Sequence, residues 1–366
     1  MREGWVVLGA TLQLRADSPA ALASRIEELR ERRESKQPLE MPSAGSTFKR
    51  PEGHFAGALI QEAGCQGLRV GGAQVSEKHC GFVINRGGAT ARNVMDLVCH
   101  VQEEVKKQED VRVEKLKKTK DSGYLLQNFY IVDSTTSVTK KQFQVEKLLG
   151  ANMKLVKEPG KKQVLIYHTH AASEGFADST KKESDSVIGV GDELTKALEK
   201  KGYGVIHDRT KYDLVQGRLD RSLAYNQALA SVEKILQKNP SIQVVIDLHR
   251  DSVGKGKHTY TTINGKKCAI VMFFNGMSRS KNGPIPYLYN ENLTDNLAFS
   301  LQLKCLAMER YPGFTKPIYL KGYRYNLHLR KRSLLIELGN ENNTVEEAKN
   351  AASPLAEVIA GVLAGN

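Results

Sequence analysis

From residue 163 onward, short runs of apolar residues alternate with amphipathic segments of helical length. The runs are VLIYH (164–168), YGVIHD (203–208), VVIDLH (244–249), CAIVMFF (268–274) and SLLIEL (333–338). Strands that are almost continuously Val, Ile and Leu are typical of a parallel sheet that is buried on both faces. The segments between them predict helices at 186–201, 218–237, 292–311 and 345–364. The sequence therefore predicts an α/β domain with a mostly parallel sheet covered by helices.

The residues before 163 follow a different pattern. Residues 4–15 alternate as a strand does, and 19–33 carry apolar residues at helical spacing. After them come a Gly-, Pro- and Ser-rich loop (37–53), a helix (55–65), short strands (67–85) and an amphipathic helix (89–107). The polar, Lys-rich sequence after that helix predicts a linker. We expect a small α+β domain at 1–114, a basic linker at 115–123 and the α/β domain at 124–366.

Composition narrows the class of protein. With 40% hydrophobic and 26% charged residues, the chain is expected to be globular rather than disordered. Its net charge of +13 favours anionic partners such as cell-wall polymers or nucleic acid, and charge alone does not choose between them. The five cysteines contain no Cys-x-x-Cys pair, which disfavours a disulfide scaffold and a cysteine metal site. No signal sequence or transmembrane run is recognised, so a cytoplasmic location is expected for the chain as given.

Histidines and carboxylates follow three of the predicted strands. Functional groups in an open α/β sheet gather beyond the carboxyl ends of its strands. A catalytic zinc needs histidine and carboxylate ligands with one open position, so this pattern predicts a metal site. A lone histidine at a strand end is more often a hydrogen-bonded surface residue, and Asp247 alone reads as a packed, satisfied carboxylate. The candidates are His168, His170 and Glu174; Asp247, His249, Arg250 and Asp251; and Glu337.

Residues 124–366 also resemble a known family, stage II sporulation protein P, a relative of the zinc-dependent N-acetylmuramoyl-L-alanine amidases. The resemblance rests on VLIYHTHAASEGF, VGDELTKALEKKGYGVIHDRTKYD, VVIDLHRDS, YPGF and YNLHLRKRSLLIELGNENNTVEEAKNA. It implies an amidase-like α/β fold, about one zinc ion per chain and removal of stem peptides from the glycan strands of peptidoglycan.

The resemblance also implies roles for single residues. His170 and His249 would ligate zinc, together with either Glu174 or Glu183, of which we favour Glu174. Glu337 would act as general base, and Arg250 would hold the developing anion or the substrate. His168 would bind substrate, and Tyr325 and Asn326 would line the substrate groove or brace it. His207 and the segment HDRTKYD (207–213) also match the family, and we expect them to order a loop beside the site.

Residues 1–114 resemble the C-terminal part of UDP-N-acetylenolpyruvoylglucosamine reductase. The strings are RRESKQPLEMPSAGSTFKRPEGHFAGALIQEAGCQGLRVGGAQVSEKHCGFVINRGGATARNVMDLV. The resemblance implies that Ser46 matches the serine that protonates the substrate, within a loop that includes Lys49 and Arg50. FAD is not expected, because the flavin-binding domain of that family has no counterpart in the matched sequence. Leu116 stands where the catalytic acid is expected, so we expect this reductase site to be vestigial.

The function expected from the sequence is therefore that of a zinc-dependent N-acetylmuramoyl-L-alanine amidase, with endopeptidase activity as an additional expectation. The alternatives are an inactive reductase fragment and a non-catalytic module that binds the cell wall. Peptidoglycan is the expected partner, nucleic acid is not, and the family implies cooperation with a lytic transglycosylase. The family acts outside the membrane, at the septum and forespore envelope.

Overall fold

The computed structural model describes residues 17–49, 55–180, 182–254 and 256–365. The chain divides into two compact units, Met1–Gln108 and Glu109–Asn366. The strand predicted at 4–15 lies outside the described residues.

The first unit is a small α+β arrangement. Its described elements are α1 (Pro19–Lys36), β1 (Ser43–Ser46), α2 (Ala56–Glu62), β2 (Arg69–Val70), β3 (Ala73–Val75), β4 (Phe82–Asn85) and the start of α3 (Ala91–Thr119). The strands form one antiparallel sheet in the order β1-β4-β3-β2. Its core includes Ile60, Val75, Val83 and Leu97. The predicted 37–53 loop differs in containing β1, which pairs with β4.

The predicted basic linker also differs from the structure. Helix α3 continues through it to Thr119, and a second helix begins at Ser122. Val113 and Leu116 lie three residues apart on one helical face and are fully buried in the core of the second unit. The many lysines of this segment concealed that spacing. Leu116, noted as the departure from the reductase pattern, is thus a core residue of the second unit.

The second unit adds many elements. They are α4 (Ser122–Phe129), β5 (Tyr130–Val132), α5 (Val145–Leu149), β6 (Lys162–Tyr167), α6 (Val187–Lys200), β7 (Gly204–His207), β8 (Leu214–Val215), β9 (Arg218–Leu219), α7 (Ala224–Lys238), β10 (Val244–Asp251), β11 (Tyr260–Ile263), β12 (Lys266–Ala269), β13 (Val271–Gly276), β14 (Arg279–Ser280), β15 (Gly283–Pro284), α8 (Leu293–Arg310), β16 (Ile318–Lys321), β17 (Arg332–Asn340) and α9 (Val345–Ala364).

The central sheet has the order β5-β16-β13-β17-β10-β6-β7. Every pairing in it is parallel except that of β13 with β17. The predicted α/β class with a mostly parallel sheet is therefore confirmed. The sequence did not reveal β5 and β16, which are short, and it merged β12 and β13 into one run.

The parallel neighbours β6, β10 and β17 bring three carboxyl ends to one edge of the sheet. Helices α6, α8 and α9 contribute apolar residues to the main core cluster, while α7 packs with β6 and β10 in a second cluster. None of the helices among the described residues is long and apolar enough to cross a membrane. The fold therefore fixes the edge at which the candidate residues meet.

Candidate active site

His249 lies at the centre of the candidate site. It sits near the end of β10, directly opposite Glu337 of β17. Its Nδ1 is 3.2 Å from Oε1 of Glu174, and its Nε2 is 2.8 Å from Oδ1 of Asp247. Although burial opposes a charge here, these two carboxylates hold the pKa of His249 well above its usual value. The two carboxylates therefore favour the protonated form of the His249 ring.

Asp247 links two of the strand ends. Its carboxylate accepts hydrogen bonds from the backbone N–H of Thr169 (2.9 Å) and from the Thr169 hydroxyl (2.6 Å). It is fully buried. Asp247 is thus the satisfied carboxylate suggested by the sequence, and it also orients His249 and the turn that carries His170.

His170 faces His249. The two ring centroids are 5.4 Å apart at 72°. Burial, and then the neighbouring His249 charge, lower the pKa of His170 to about 4, so the imidazole is neutral. Its Nδ1 is buried, and no group within the described residues forms a hydrogen bond with it. A buried nitrogen without a partner costs roughly 1–3 kcal/mol, which a bound ligand would recover.

These donors are of the type that zinc binds, and one pair of them has a suitable spacing. Two ligands of a tetrahedral zinc, each about 2.0–2.2 Å from the ion, lie roughly 3.3 Å apart, close to the 3.2 Å between His249 Nδ1 and Glu174 Oε1. Among the described residues, no group of three or more His, Cys, Asp or Glu side chains is placed so that it could hold a metal ion. His170 stays the predicted third donor, and its Nδ1 is buried without a hydrogen-bond partner among the described residues.

The two glutamates considered for the acidic ligand occupy different environments. Glu174 is 3% exposed and contacts His249, while its second oxygen accepts the Arg250 N–H at 2.9 Å. Glu183 binds the side chains of Arg209 and Lys211, away from the histidines. The geometry therefore favours Glu174.

Arg250 contacts the loop that carries Glu174. Its guanidinium donates to the backbone carbonyls of Gly175 (2.5 Å), Asp251 (3.0 Å) and Ser173 (3.3 Å). Through its bonds to Ser173 and Gly175, Arg250 holds the segment that carries Glu174. Its expected role in binding the reacting anion or the substrate stays a prediction.

Glu337 provides a carboxyl group beside this cluster. Its Oε2 is shielded from solvent and lacks a hydrogen-bond partner in the part of the chain that the structure describes, although the residue as a whole is partly exposed. Burial raises the pKa of Glu337 to about 8; His249 opposes this shift, and Glu174 adds to it. A carboxyl group with a raised pKa and an open oxygen can accept and return a proton near neutral pH.

The substrate-binding role expected for His168 is corrected. Its side chain is fully buried and cannot touch substrate. Its Nδ1 lies 2.7 Å from the Leu248 carbonyl, and its Nε2 lies 2.8 Å from Nε2 of His207. The other nitrogen of His207 contacts Asp192 at 3.0 Å. The chain turns after Tyr167, so His168 and His170 do not share a strand face. His168 therefore braces the backbone beside His249.

Tyr325 and Asn326 lie close to the cluster. The Tyr325 ring is 5.4 Å from that of Tyr225, which in turn is 5.4 Å from His170. Asn326 donates to the Tyr225 carbonyl at 2.8 Å and is mostly buried, so it braces this wall. Tyr325 lining the groove stays a prediction.

Sequence reasoning missed Tyr225, Asp213 and Arg221. Asp213 is fully buried and accepts the backbone N–H groups of Ala172 and Ser173 at 2.9 and 3.1 Å. Arg221 lies 3.8 Å from Glu174. Asp213 belongs to the matched string HDRTKYD, which was the available signal.

The residues matched to the reductase lie in the first unit. Ser46 and Lys49 are exposed, and Arg50 lies outside the described residues. A Cβ added at Gly81 would lie 3.6 Å from the Ser46 hydroxyl and 2.9 Å from the His79 ring. Ser46 therefore has His79 and Gly81 as neighbours.

Comparisons with known proteins confirm both resemblances. The family model for stage II sporulation protein P (SpoIIP) matches residues 76–360. The chain belongs to this family. Membership supports an enzyme that acts on peptidoglycan.

The N-terminal region matches a different protein. UDP-N-acetylenolpyruvoylglucosamine reductase from Clostridium perfringens is 58% identical over 113 residues, which are 31% of this chain and 37% of that protein. The chain thus spans little more than a third of the length of this curated relative. The reductase structure from Thermus caldophilus is 40% identical with a TM-score of 0.24, covering 25% of this chain and 34% of that one.

Amidase structures also match the chain. The N-acetylmuramoyl-L-alanine amidase from Clostridium difficile 630 is 15% identical with a TM-score of 0.34, and the match covers 55% of this chain and 94% of that one.

Proposed function

We propose that the second unit is a zinc-dependent N-acetylmuramoyl-L-alanine amidase, which cleaves the amide bond between the glycan and its stem peptide. The observation that carries the proposal is the set formed by His170, Glu174 and His249 beside the open carboxyl oxygen of Glu337. Membership of the SpoIIP family supports peptidoglycan as the substrate. The proposal extends to endopeptidase activity and to a lytic transglycosylase partner only through that family.

The ligand roles follow from which atoms are available. Nδ1 of His170, Nδ1 of His249 and one oxygen of Glu174 would hold the zinc. When bound, zinc lowers the pKa of water at the site and polarises the scissile carbonyl. Asp247 keeps the His249 ring in place through Nε2, as a carboxylate behind a ligating histidine does.

Glu337 moves the proton. Its Oε2 accepts a proton from the attacking water and returns it to the amide nitrogen as the C–N bond breaks. The products are a free carboxyl group on the lactyl ether and a free amino group on the stem peptide. The Tyr225 and Tyr325 rings form an apolar wall beside His170 that restricts water.

The experiment is the release of stem peptides from purified peptidoglycan by the zinc-loaded full chain. New amino termini are counted alongside the zinc content of the same sample. We expect His249→Ala to lose both, while His258→Ala, at a histidine paired with Glu347 outside the site, keeps both. Release that is undiminished in His249→Ala would contradict the proposal.

A further inference from the structure

Tyrosines dominate one exposed surface of the second unit. Tyr287, Tyr289 and Tyr323 have exposed fractions of 78%, 72% and 61%. Among the described residues of this unit, Tyr260 is the only other exposed large aromatic residue. We call Tyr287, Tyr289 and Tyr323 the tyrosine surface.

Two chain segments, 276–289 and 321–325, build this surface, and hydrogen bonds join them. The N–H of Arg279 donates to the Gly322 carbonyl at 2.8 Å, and the Arg324 guanidinium donates to the Tyr289 carbonyl at 3.2 Å. A Cβ added at Gly276 would lie only 2.3 Å from the Tyr323 carbonyl, so the segments pack closely there. The tyrosines are therefore carried on a joined backbone.

The tyrosine surface is continuous with the candidate active site. The ring of Tyr323 lies 6.4 Å from that of Tyr325. From Tyr325 the path runs to Tyr225 and then to His170, in two steps of 5.4 Å. Tyr325 and Asn326 adopt positive φ angles of 52° and 57°, a costly conformation that the Asn326 bond to the Tyr225 carbonyl helps to hold. The fold thus maintains an aromatic path from solvent to a proposed metal ligand.

The chemistry of this surface suits a sugar chain. A tyrosine ring offers a flat apolar face and a polar edge at little cost in conformational entropy. A pyranose ring has the matching features, an apolar C–H face and a rim of hydroxyl groups. Within the two described segments, 276–289 and 321–325, no Leu, Ile, Val or Met is exposed, unlike a docking site for an apolar peptide.

The charge of the segments points to the same occupant. Neither 276–289 nor 321–325 contains Asp or Glu, whereas Lys281, Lys321 and Arg324 are present. Asp133 faces Lys321 and Tyr325, and Glu233 faces Arg324, so acidic groups border these segments. The basic excess within the segments themselves favours a polymer that carries carboxylates. Peptidoglycan carries them on its stem peptides.

We propose that the tyrosine surface binds the glycan strand of the substrate and directs its attached peptide toward His170. This inference rests on the proposed function for the identity of the polymer. It adds a subsite several sugar units from the scissile bond, which acts through binding rather than through the chemical step.

The test is binding of the β-1,4-linked hexasaccharide of N-acetylglucosamine to the full chain, measured by titration calorimetry. We expect the double variant Tyr289→Ala/Tyr323→Ala to bind about tenfold more weakly than the parent, in line with loss of stacked rings. Tyr323→Phe keeps the ring and is expected to bind as the parent does. Tyr260→Ala removes an exposed tyrosine elsewhere in the unit and is expected to change nothing. Equal binding by the parent and the double variant, or no binding by the parent, would overturn the inference.

Two controls separate this result from the proposed function. Binding is repeated with His249→Ala, which is expected to bind the sugar normally without hydrolysing peptidoglycan. Sugar binding that depends on the tyrosines, in a parent that releases no stem peptide, would contradict the amidase and support the subsite. If the double variant hydrolyses long strands as fast as the parent does, the result would support the amidase and contradict the subsite. A parent dimer that the double variant dissociates would assign the surface to a second copy of the chain and overturn the inference.

Discussion

The two units differ in how they treat the residues singled out from sequence. In the first unit, Ser46 and Lys49 are exposed on and after an edge strand, although the surrounding region is 58% identical to a reductase. In the second, His249 and Glu174 are each 3% exposed and contact each other across the ends of different elements. Sequence identity therefore indicates common origin, whereas buried polar groups that converge from different elements indicate a functional site. Buried charges persist only where partners compensate them.

The largest expected effect is on the rate of stem-peptide release, compared between one variant in each unit. Glu337→Gln removes the proton acceptor but keeps the shape of the side chain, so we expect kcat for stem-peptide release to fall by about 10²–10⁴-fold. Ser46→Ala is expected to leave the same rate unchanged. Initial rates on purified peptidoglycan measure both. A Ser46→Ala variant that is impaired as strongly as Glu337→Gln would break the comparison.

A smaller effect concerns the brace beside His249. A Cβ at Gly191 of α6 would lie 2.6 Å from Nε2 of His207 and 2.9 Å from Nε2 of His168. Overpacking of this kind costs typically about 1–3 kcal/mol, so Gly191→Ala is expected to lower the free energy of unfolding by that amount. Lys196→Ala, on the same helix and exposed, is the control and is expected to have little effect. Urea unfolding measures both, and equal stability of the two variants would show that the histidine pair tolerates displacement.

The smallest effect is a pH dependence. Burial, and then Arg324, lower the pKa of His328 to about 4, below its value of about 6.5 in an unfolded chain. The unfolded state therefore binds the proton first as the pH falls, so this residue's contribution to stability is lost below pH about 6.5. We expect His328→Gln to lose less stability than the parent between pH 7 and pH 5, compared by urea unfolding. An identical loss in both would mean that folding does not lower the pKa of His328.

The sequence predicted the second unit well where apolar runs are long. The strands that carry His249 and Glu337 and the helix Val345–Ala364 were predicted because their periodicity is strong. The strands at 130–132 and 318–321 are too short to produce such a pattern. The helix through 115–119 was hidden because its lysines outnumber its buried residues.

The candidate site was predictable only as a set of residue types. Strand ends placed His249 and Glu337 together, but no pattern along the chain encodes which side chain turns inward after a strand. His168 was therefore given a substrate role, whereas its ring nitrogens contact the Leu248 carbonyl and the His207 ring. Tyr225 was missed because it reaches His170 from a separate helix.

The most direct test of the central claim is a zinc titration of the metal-free full chain, followed by measurement of bound zinc after dialysis. We expect about one tightly bound zinc per chain, lost in His170→Ala and kept in His258→Ala. Zinc that binds equally to all three proteins, or to none of them, would contradict the assignment of His170, Glu174 and His249 as its site.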